Sequence, residues 1–408
     1  MTLFTKPISS INYDDVVSFC EQGISEGINL DYKRDFPEQG KLEKTISAFA
    51  NTFGGVVIIG IADQDSKPKP PFEGIEYREK FEERITNIIL DNIYPPLFPE
   101  IGICPPKDNK TFIIIRVPES NETPHAIYNN TQVYIRTGNR NKPEDMATID
   151  QIEWLRNRRK KSEELSENLY RRAKERYLNI CESKKVKSEF AEFTLSLCPL
   201  YPQKPLIPVE KIEDIFMGIE VDDGRLRFPR MIDGGILKPI QDGMYYFAIQ
   251  EDTRFFTYSE INKFGLVFYK EDSGWYNKEE NTRKVYAVHI IGTLLLIFES
   301  AYKFYKQVGY WGLVKVKFSL DRLLGVQFVS ITRNDIRNRI FGPGFPSKIE
   351  ENCAADQLSW ELTFNVAQLE DPGFRKDKLI ELGRDIHWSF GAKIEKYIIE
   401  QFLKERNR

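Results

Sequence analysis

Three carboxylates near the start of the chain have the types and spacing that could hold a divalent cation. Glu26 and Asp31 lie in the segment Glu-Gly-Ile-Asn-Leu-Asp, and Asp63 follows the β-branched run 56–61. Carboxylate oxygens are ligands that Mg²⁺ and Mn²⁺ prefer, and such a cation polarises a phosphodiester and activates water. If the three carboxylates converge, they predict a metal site for phosphodiester chemistry, with Lys33 stabilising the developing charge.

The same residues have a second interpretation. In an extended strand Asp31, Lys33 and Asp35 point to one face, because side chains alternate along a strand. Acids and bases on such a face commonly form weak ion pairs in contact with solvent. Asp63 could equally begin a turn, because Asp65 and the Ser and Pro that follow it favour one. Spacing alone therefore leaves both the metal site and the solvated face open.

The elements that must position these residues alternate between helix and strand. An amphipathic helix is indicated by apolar side chains three and four positions apart, namely Leu42, Ile46, Phe49 and Phe53. Gly54 and Gly55 end that helix, and the run 56–61 reads as a buried strand. A second helix covers 81–93 and ends before Pro95.

Two further strands are predicted at 111–117 and 132–136, where β-branched and aromatic residues lie between turn formers. In the second half of the chain, 285–307 predicts an apolar helix and 312–320 predicts a half-buried strand. Helices and strands that mix without a strict βαβ rhythm indicate an α+β fold.

Composition limits the class of protein. The 408 residues suffice for two or three domains, and the net charge of −3 means that any nucleic-acid site is a local patch. Five scattered cysteines and three histidines make a zinc site improbable by spacing and predict a cytoplasmic location. The start of the chain lacks a signal-peptide pattern, and the apolar stretch 288–298 is too short to cross a membrane.

Three regions differ in composition: a domain at 1–155, a basic helical connector at 156–197 and a C-terminal domain of mixed α/β type at 198–408. Between 156 and 187 there are 12 basic residues and 5 acidic ones. As a helix this stretch could follow a phosphate backbone, or its charges could pair four positions apart on a solvated surface. The four prolines within 198–208 predict an extended linker.

Several segments resemble the Schlafen AlbA-type domain, also described as a putative ATP- or DNA-binding domain. They are Leu-Asp-Tyr-Lys at 30–33, Ile-Ser-Ala-Phe-Ala-Asn-Thr-Phe-Gly-Gly at 46–55, Val-Ile-Ile-Gly-Ile-Ala-Asp at 57–63, Val-Pro-Glu-Ser-Asn-Glu-Thr-Pro-His at 117–125 and Val-Tyr-Ile-Arg-Thr-Gly-Asn-Arg at 133–140. The resemblance covers about 14–154 and implies a mixed sheet with flanking helices. It does not extend into the C-terminal domain.

In nucleolytic Schlafens this family has a catalytic set that falls here on Glu26, Asp31, Lys33 and Asp63. The resemblance therefore implies a metal-dependent endoribonuclease that cleaves tRNA or other structured RNA, with Mg²⁺ or Mn²⁺ held by the three acids and defence as one role. The second acid is Asp where the family has Glu. Members with two such lobes surround RNA, so the single lobe found here implies a homodimer.

Phosphate contacts are predicted at basic residues near this site and at the start of the connector, namely Arg34, Arg136, Arg140, Lys142, Arg158, Arg159, Lys160 and Lys161. The turn 51–55 resembles glycine loops that bind phosphate, but it lacks the GxxxxGK[ST] pattern, so helix termination is favoured over ATP binding. The alternative function is a non-catalytic protein that binds nucleic acid or ATP and acts as a regulator. The clustered aromatic residues of the C-terminal domain could stack on bases, but they are interpreted as core or interface. The predicted role of this domain is effector sensing or oligomerisation.

Overall fold

The structure is a computed structural model with side chains. It describes residues 6–38, 40–128, 131–137, 143–186, 190–202, 205–224, 226–250, 255–277, 282–310, 312–332 and 349–406. The chain divides into two compact units, Met1–Ser162 and Glu163–Arg408. Each unit has an α+β fold, as the sequence predicts.

The helices within the described residues are α1 (Tyr13–Glu21), α2 (Lys41–Asn51), α3 (Phe81–Asn92), α4 (Ile149–Lys184), α5 (Ile212–Gly218), α6 (Ala287–Gln307), α7 (Pro372–Ser389) and α8 (Lys396–Arg406). Helix α1 begins with a capping box, in which Asn12 and Asp15 bond each other's backbone N–H groups. Helix α4 begins in the first unit and continues into the second.

Two four-stranded sheets organise the first unit. The strands of this unit are β1 (Leu30–Lys33), β2 (Gly55–Ile59), β3 (Asp63–Gln64), β4 (Lys67–Pro68), β5 (Ile75–Glu76), β6 (Ile93–Tyr94), β7 (Glu100–Ile103), β8 (Lys110–Thr111), β9 (Ile113–Val117), β10 (Ala126–Ile127), β11 (Gln132–Arg136) and β12 (Glu144–Met146). The first sheet has the order β1-β2-β9-β7, in which only β1 and β2 are parallel. The second has the antiparallel order β12-β11-β10-β6.

The first sheet is covered on both faces, and its alternating side chains enter two apolar clusters. One face of β2 contributes Val57 and Ile59, which pack with residues of α2 and α3 such as Ile46 and Ile85. The other face contributes Ile58, which packs with α1. Burial on both faces explains the continuous β-branched sequence of β2 and β9.

A seven-stranded antiparallel sheet forms the centre of the second unit. The strands of this unit are β13 (Ala191–Pro199), β14 (Val221–Asp222), β15 (Arg227–Phe228), β16 (Ile236–Ile240), β17 (Gly243–Gln250), β18 (Phe255–Asn262), β19 (Val267–Ser273), β20 (Trp275–Asn277), β21 (Thr282–Tyr286), β22 (Leu313–Asp321), β23 (Gln327–Val329), β24 (Ile349–Asn352) and β25 (Gln357–Asn365). The order in the large sheet is β16-β17-β18-β19-β13-β22-β25. A smaller sheet has the order β20-β21-β23-β24.

Helices cover both faces of the large sheet. Helices α5 to α8 pack on one face in the largest core cluster. The later part of α4 packs on the other face, where Leu169, Ala173 and Tyr177 contact aromatic residues of β17 to β19. These three residues are four positions apart, so they form one stripe along the helix. This part of the predicted connector therefore belongs to the core of the second unit.

Most predicted elements are confirmed, with boundaries that differ by a few residues. The helix predicted at 285–307 is α6, which is long and apolar enough to cross a membrane by composition but has 72% of its most apolar window buried within the protein. The linker predicted at 198–208 is wrong at its first two residues. Cys198 and Pro199 end the central strand β13, where hydrogen bonds to β22 hold them.

Candidate functional site

The predicted acid Asp31 lies inside the first unit. Strand β1 runs parallel to β2 and pairs Asp31 with Val57. The strand is buried along most of its length, and Asp31 itself is 1% exposed. The solvated-face interpretation is therefore wrong for this residue. A carboxylate at such a depth needs a cationic partner, because an unpaired buried charge is very costly.

Arg136 of β11 is that partner. Its Nη1 lies 2.9 Å from Asp31 Oδ2 and 2.9 Å from Glu144 Oε1, and its side chain is completely buried. Its Nη2 donates to the carbonyl oxygen of Gly27 across 2.6 Å. The guanidinium also lies over the ring of Phe49, with 4.5 Å between Cζ and the ring centroid. This network joins β1, α2, β11 and β12.

Two other predicted residues, Lys33 and Glu26, lie near Asp31. Lys33 forms an ion pair with Asp31 Oδ1. Glu26 Oε1 accepts the backbone N–H of Tyr32 across 2.7 Å. Burial raises the pKa of Glu26, and the negative charges of Asp31 and Asp63 raise it further. Asp63 is exposed at the start of the short hairpin β3-β4.

The Asp31 carboxylate contacts two cationic side chains, which compete with a site for Mg²⁺ or Mn²⁺. One oxygen of Asp31 faces Arg136 and the other faces Lys33, while Glu26 is bonded to the backbone. Throughout the residues that the structure describes, no three His, Cys, Asp or Glu side chains form a group that could hold a metal ion. Glu26, Asp31 and Asp63 are close enough for their charges to interact, but their shared metal remains a prediction.

The predicted phosphate contacts divide by burial. Arg136 and Arg158 are buried, so the prediction that they contact phosphate is wrong: each guanidinium is held by protein oxygens. Arg34 and Lys161 are exposed and remain candidates. Lys160 is exposed and Arg159 is half-buried, and both already have partners within the protein. Arg140 and Lys142 lie outside the described residues.

Arg158 joins α4 to the rest of the first unit. Its Nη2 donates to the carbonyl oxygen of Ser120 across 2.5 Å, and its Nη1 donates to that of Thr52 across 3.2 Å. Glu119 Oε1 accepts from the same Nη1 at 3.1 Å. Spacing alone could not reveal this role, because Arg158 lies within a run of basic residues that are mostly exposed.

A hydrogen-bonded pair of the buried His125 with the half-buried Ser120 lies beside this anchor and was missed by the sequence predictions. His125 Nε2 is 2.6 Å from Ser120 Oγ, and His125 Nδ1 is 2.8 Å from the carbonyl oxygen of Pro95. The carbonyl requires N–H at Nδ1, so Nε2 accepts the Ser120 hydroxyl. Burial lowers the pKa of His125 to about 4, which keeps the ring neutral. The only signal in the sequence was the segment Ser-Asn-Glu-Thr-Pro-His at 120–125.

The glycine turn ends a helix, which agrees with the interpretation favoured from the sequence. Helix α2 stops at Asn51, and Gly54 has a φ of +72°, a conformation that side chains disfavour. A Cβ on Gly54 would lie 2.7 Å from the backbone nitrogen of Glu119. The turn is therefore packed against the protein backbone.

Comparison with known proteins identifies the first unit. Residues 26–145 match the family model "Schlafen, AlbA_2". The unit thus contains a Schlafen AlbA_2-type domain, which belongs to a family related to nucleic acids. No curated protein matches the chain in sequence.

One solved structure is also similar to this chain. It is the N-terminal domain of a putative ATP-dependent DNA helicase RecG-related protein from Nitrosomonas europaea, determined in solution by NMR. The identity is 19% over 34% of this chain and 82% of that domain, with a TM-score of 0.22. At this TM-score the similarity adds nothing to the family match.

Proposed function

We propose that this protein is a regulator that binds nucleic acid, RNA in particular, through its Schlafen AlbA_2-type domain without cleaving it. The proposal that the domain does not cleave its ligand rests on the buried ion pair between Asp31 and Arg136. An acid that balances a fully buried guanidinium stabilises the fold, and it is unsuited to hold a catalytic cation at the same time. The family match supports nucleic acid as the ligand.

Charge supports a local rather than a general affinity for nucleic acid. The chain carries a net charge of −3, whereas exposed basic residues such as Arg34 and Lys161 lie on the first unit. Contacts between such residues and phosphate release counterions and weaken as salt increases. Binding by this surface is therefore expected to fall steeply with ionic strength.

A metal-dependent endoribonuclease that cleaves tRNA is the second candidate. One observation favours it: the charges of Asp31 and Asp63 both raise the pKa of Glu26, so each of these two acids lies within electrostatic reach of Glu26. This function would require Asp31 to serve both the cation and Arg136. For either candidate function we also propose that the protein forms a homodimer and is cytoplasmic.

Total tRNA incubated with the full-length protein separates the two functions. The regulator predicts binding that is equal in Mn²⁺ and in EDTA, with no RNA fragments. The sharpest variant is Asp63→Asn, because Asp63 is exposed and its substitution leaves the buried network intact. Fragments that require Mn²⁺ and disappear in Asp63→Asn would establish the nuclease instead. A protein that neither binds nor cleaves RNA or DNA would eliminate both proposals.

A further inference from the structure

Phe53 and Trp154 are among the exposed aromatic residues of the first unit, and both lie next to backbone or side chains that the protein holds in place. Phe53 is 63% exposed and Trp154 is 54% exposed. Scattered exposed apolar residues are ordinary, but here one buried side chain holds both the backbone that precedes Phe53 and the ring of Trp154. Both residues lie next to groups bonded by Arg158.

Arg158 is the common anchor. Its guanidinium lies over the Trp154 ring, with 5.1 Å between Cζ and the ring centroid. The same group bonds the carbonyl oxygens of Ala50, Asn51 and Thr52 at 3.2 to 3.4 Å, and Phe53 follows Thr52 directly. One face of the indole therefore packs on a fixed cation while more than half of the side chain remains accessible.

The charge around Trp154 is complementary to nucleic acid. Between 149 and 161, α4 carries five basic residues and two acidic ones, and because one of the five is the buried Arg158, the surface of this segment has a net charge of +2 against −3 for the whole chain. Lys161 is exposed seven positions after Trp154, two helical turns along the same side of α4. A strand whose base stacks on Trp154 could thus place a phosphate near Lys161.

We infer that Phe53 and Trp154 form a stacking surface for unpaired nucleobases, with Lys161 contacting the backbone of the same single strand. Aromatic side chains stack on any base, whereas the bases of a duplex are stacked on each other and unavailable. This inference rests on the proposed binding of nucleic acid and specifies which form is bound. Trp154 and Lys161 lie outside the region 26–145 that matches the family model.

The test measures affinity for a fluorescent single-stranded RNA and for the corresponding duplex. Phe53→Ala and Trp154→Ala are each expected to weaken single-strand binding roughly 5- to 100-fold, the range for loss of one stacked base, without weakening duplex binding. Lys161→Ala is expected to reduce the slope of log affinity against log salt by about 0.7. A single-stranded DNA of the same sequence shows whether the sugar contributes.

Trp388→Ala is the matched control. Trp388 is 68% exposed in the second unit, and its ring also carries a cation, Lys393 Nζ at 5.7 Å from the centroid. Its loss should leave RNA affinity unchanged. Trp154→Phe retains an aromatic ring and should recover most of the affinity lost in Trp154→Ala. Quenching of tryptophan fluorescence by bound RNA should be weaker in Trp154→Phe than in the natural protein.

The outcomes separate this inference from the proposed function. If the natural protein binds single strands and both alanine variants bind as well as Trp388→Ala, the stacking surface is wrong and the function stands. A natural protein that prefers the duplex also overturns the stacking surface. If the natural protein binds neither form of nucleic acid, the proposed function itself fails.

Discussion

Arg136 donates a hydrogen bond of 2.9 Å to the Asp31 carboxylate although 105 residues separate them in the chain. The pair connects strand β1 with strand β11, which belong to different sheets. Because Glu144 bonds the same Nη1 atom, one cation balances two acids inside the first unit. The residue most attractive as a metal ligand in the sequence is thereby part of the structural framework.

Loss of Arg136 should strongly destabilise the first unit. In Arg136→Met, Asp31 and Glu144 lose their shared cation, and breaking a buried pair costs about 3 to 5 kcal/mol. Urea denaturation followed by a spectroscopic signal of the first unit measures this change. Adding Asp31→Asn to Arg136→Met should recover part of the loss, because it removes one of the two buried negative charges that Arg136 balanced.

Arg34→Met is the matched control for that variant. Arg34 is exposed just after β1, so its substitution should change the free energy of unfolding by less than about 0.5 kcal/mol. Equal effects of Arg34→Met and Arg136→Met would contradict the structural role given to the buried pair.

The neutral His125 should make the first unit sensitive to acid. Its pKa is lowered to about 4 in the folded protein, against 6.5 when unfolded. Between these values the unfolded chain binds the proton that the folded protein refuses, so stability is complete above pH 6.5 and falls toward pH 4. The full loss is about 3 kcal/mol. Unfolding free energies across this range should show the slope, and His125→Gln should lack it.

Glu122 should have the opposite effect on stability. Burial raises its pKa to about 7 from the ordinary value of 4.5. The folded protein therefore retains a proton that the unfolded chain releases, so this contribution is complete below pH 4.5 and is lost as the pH rises through 7. Relative to the natural protein, Glu122→Gln should gain stability between pH 4.5 and 7.

The pH ranges over which His125 and Glu122 titrate overlap, and their effects on stability partly cancel. Each effect is therefore best measured in a variant that lacks the other group. The Glu122→Gln background should steepen the acid sensitivity caused by His125. An identical pH profile in the natural protein and in both single variants would show that neither group titrates as described.

An ion pair between the half-buried Arg176 and a buried carboxylate should stabilise the packing of α4 in the other unit. Arg176 Nε donates to Glu260 Oε2 across 2.9 Å, and the side chain of Glu260 is completely buried. Tyr258 donates to the same oxygen across 2.7 Å. In Arg176→Leu the carboxylate would keep only the tyrosine, at a cost of about 3 to 5 kcal/mol in the free energy of unfolding.

Arg171→Leu is the control on the same helix. Arg171 pairs with Glu175 at the surface, 2.8 Å apart and four positions along α4. Such an exposed pair contributes about 0.3 to 0.5 kcal/mol. Thermal denaturation should therefore separate the two variants clearly, and similar melting temperatures would contradict the importance of the Glu260 contact.

The sequence by itself determined those helices and strands whose residue patterns span only a few neighbouring positions. Leu42, Ile46 and Phe49 of the apolar stripe predicted α2, and the glycines predicted its end, because helix period and C-terminal capping depend on near neighbours. The stripe was wrong at Phe53, which lies beyond α2 and is exposed. The strand predicted at 132–136 coincides with β11. Ordered motifs of the first unit also revealed its Schlafen AlbA_2-type domain.

Tertiary structure alone decided what the charged residues do. From the sequence, Asp31 was predicted to be a metal ligand and Arg136 a phosphate contact. Arg158 was predicted to contact phosphate together with the basic residues around it. Their burial and partners depend on strands and helices far apart in the chain. The depth of a charge, and therefore whether it binds a ligand or stabilises the fold, is a property of the packed molecule that residue spacing does not contain.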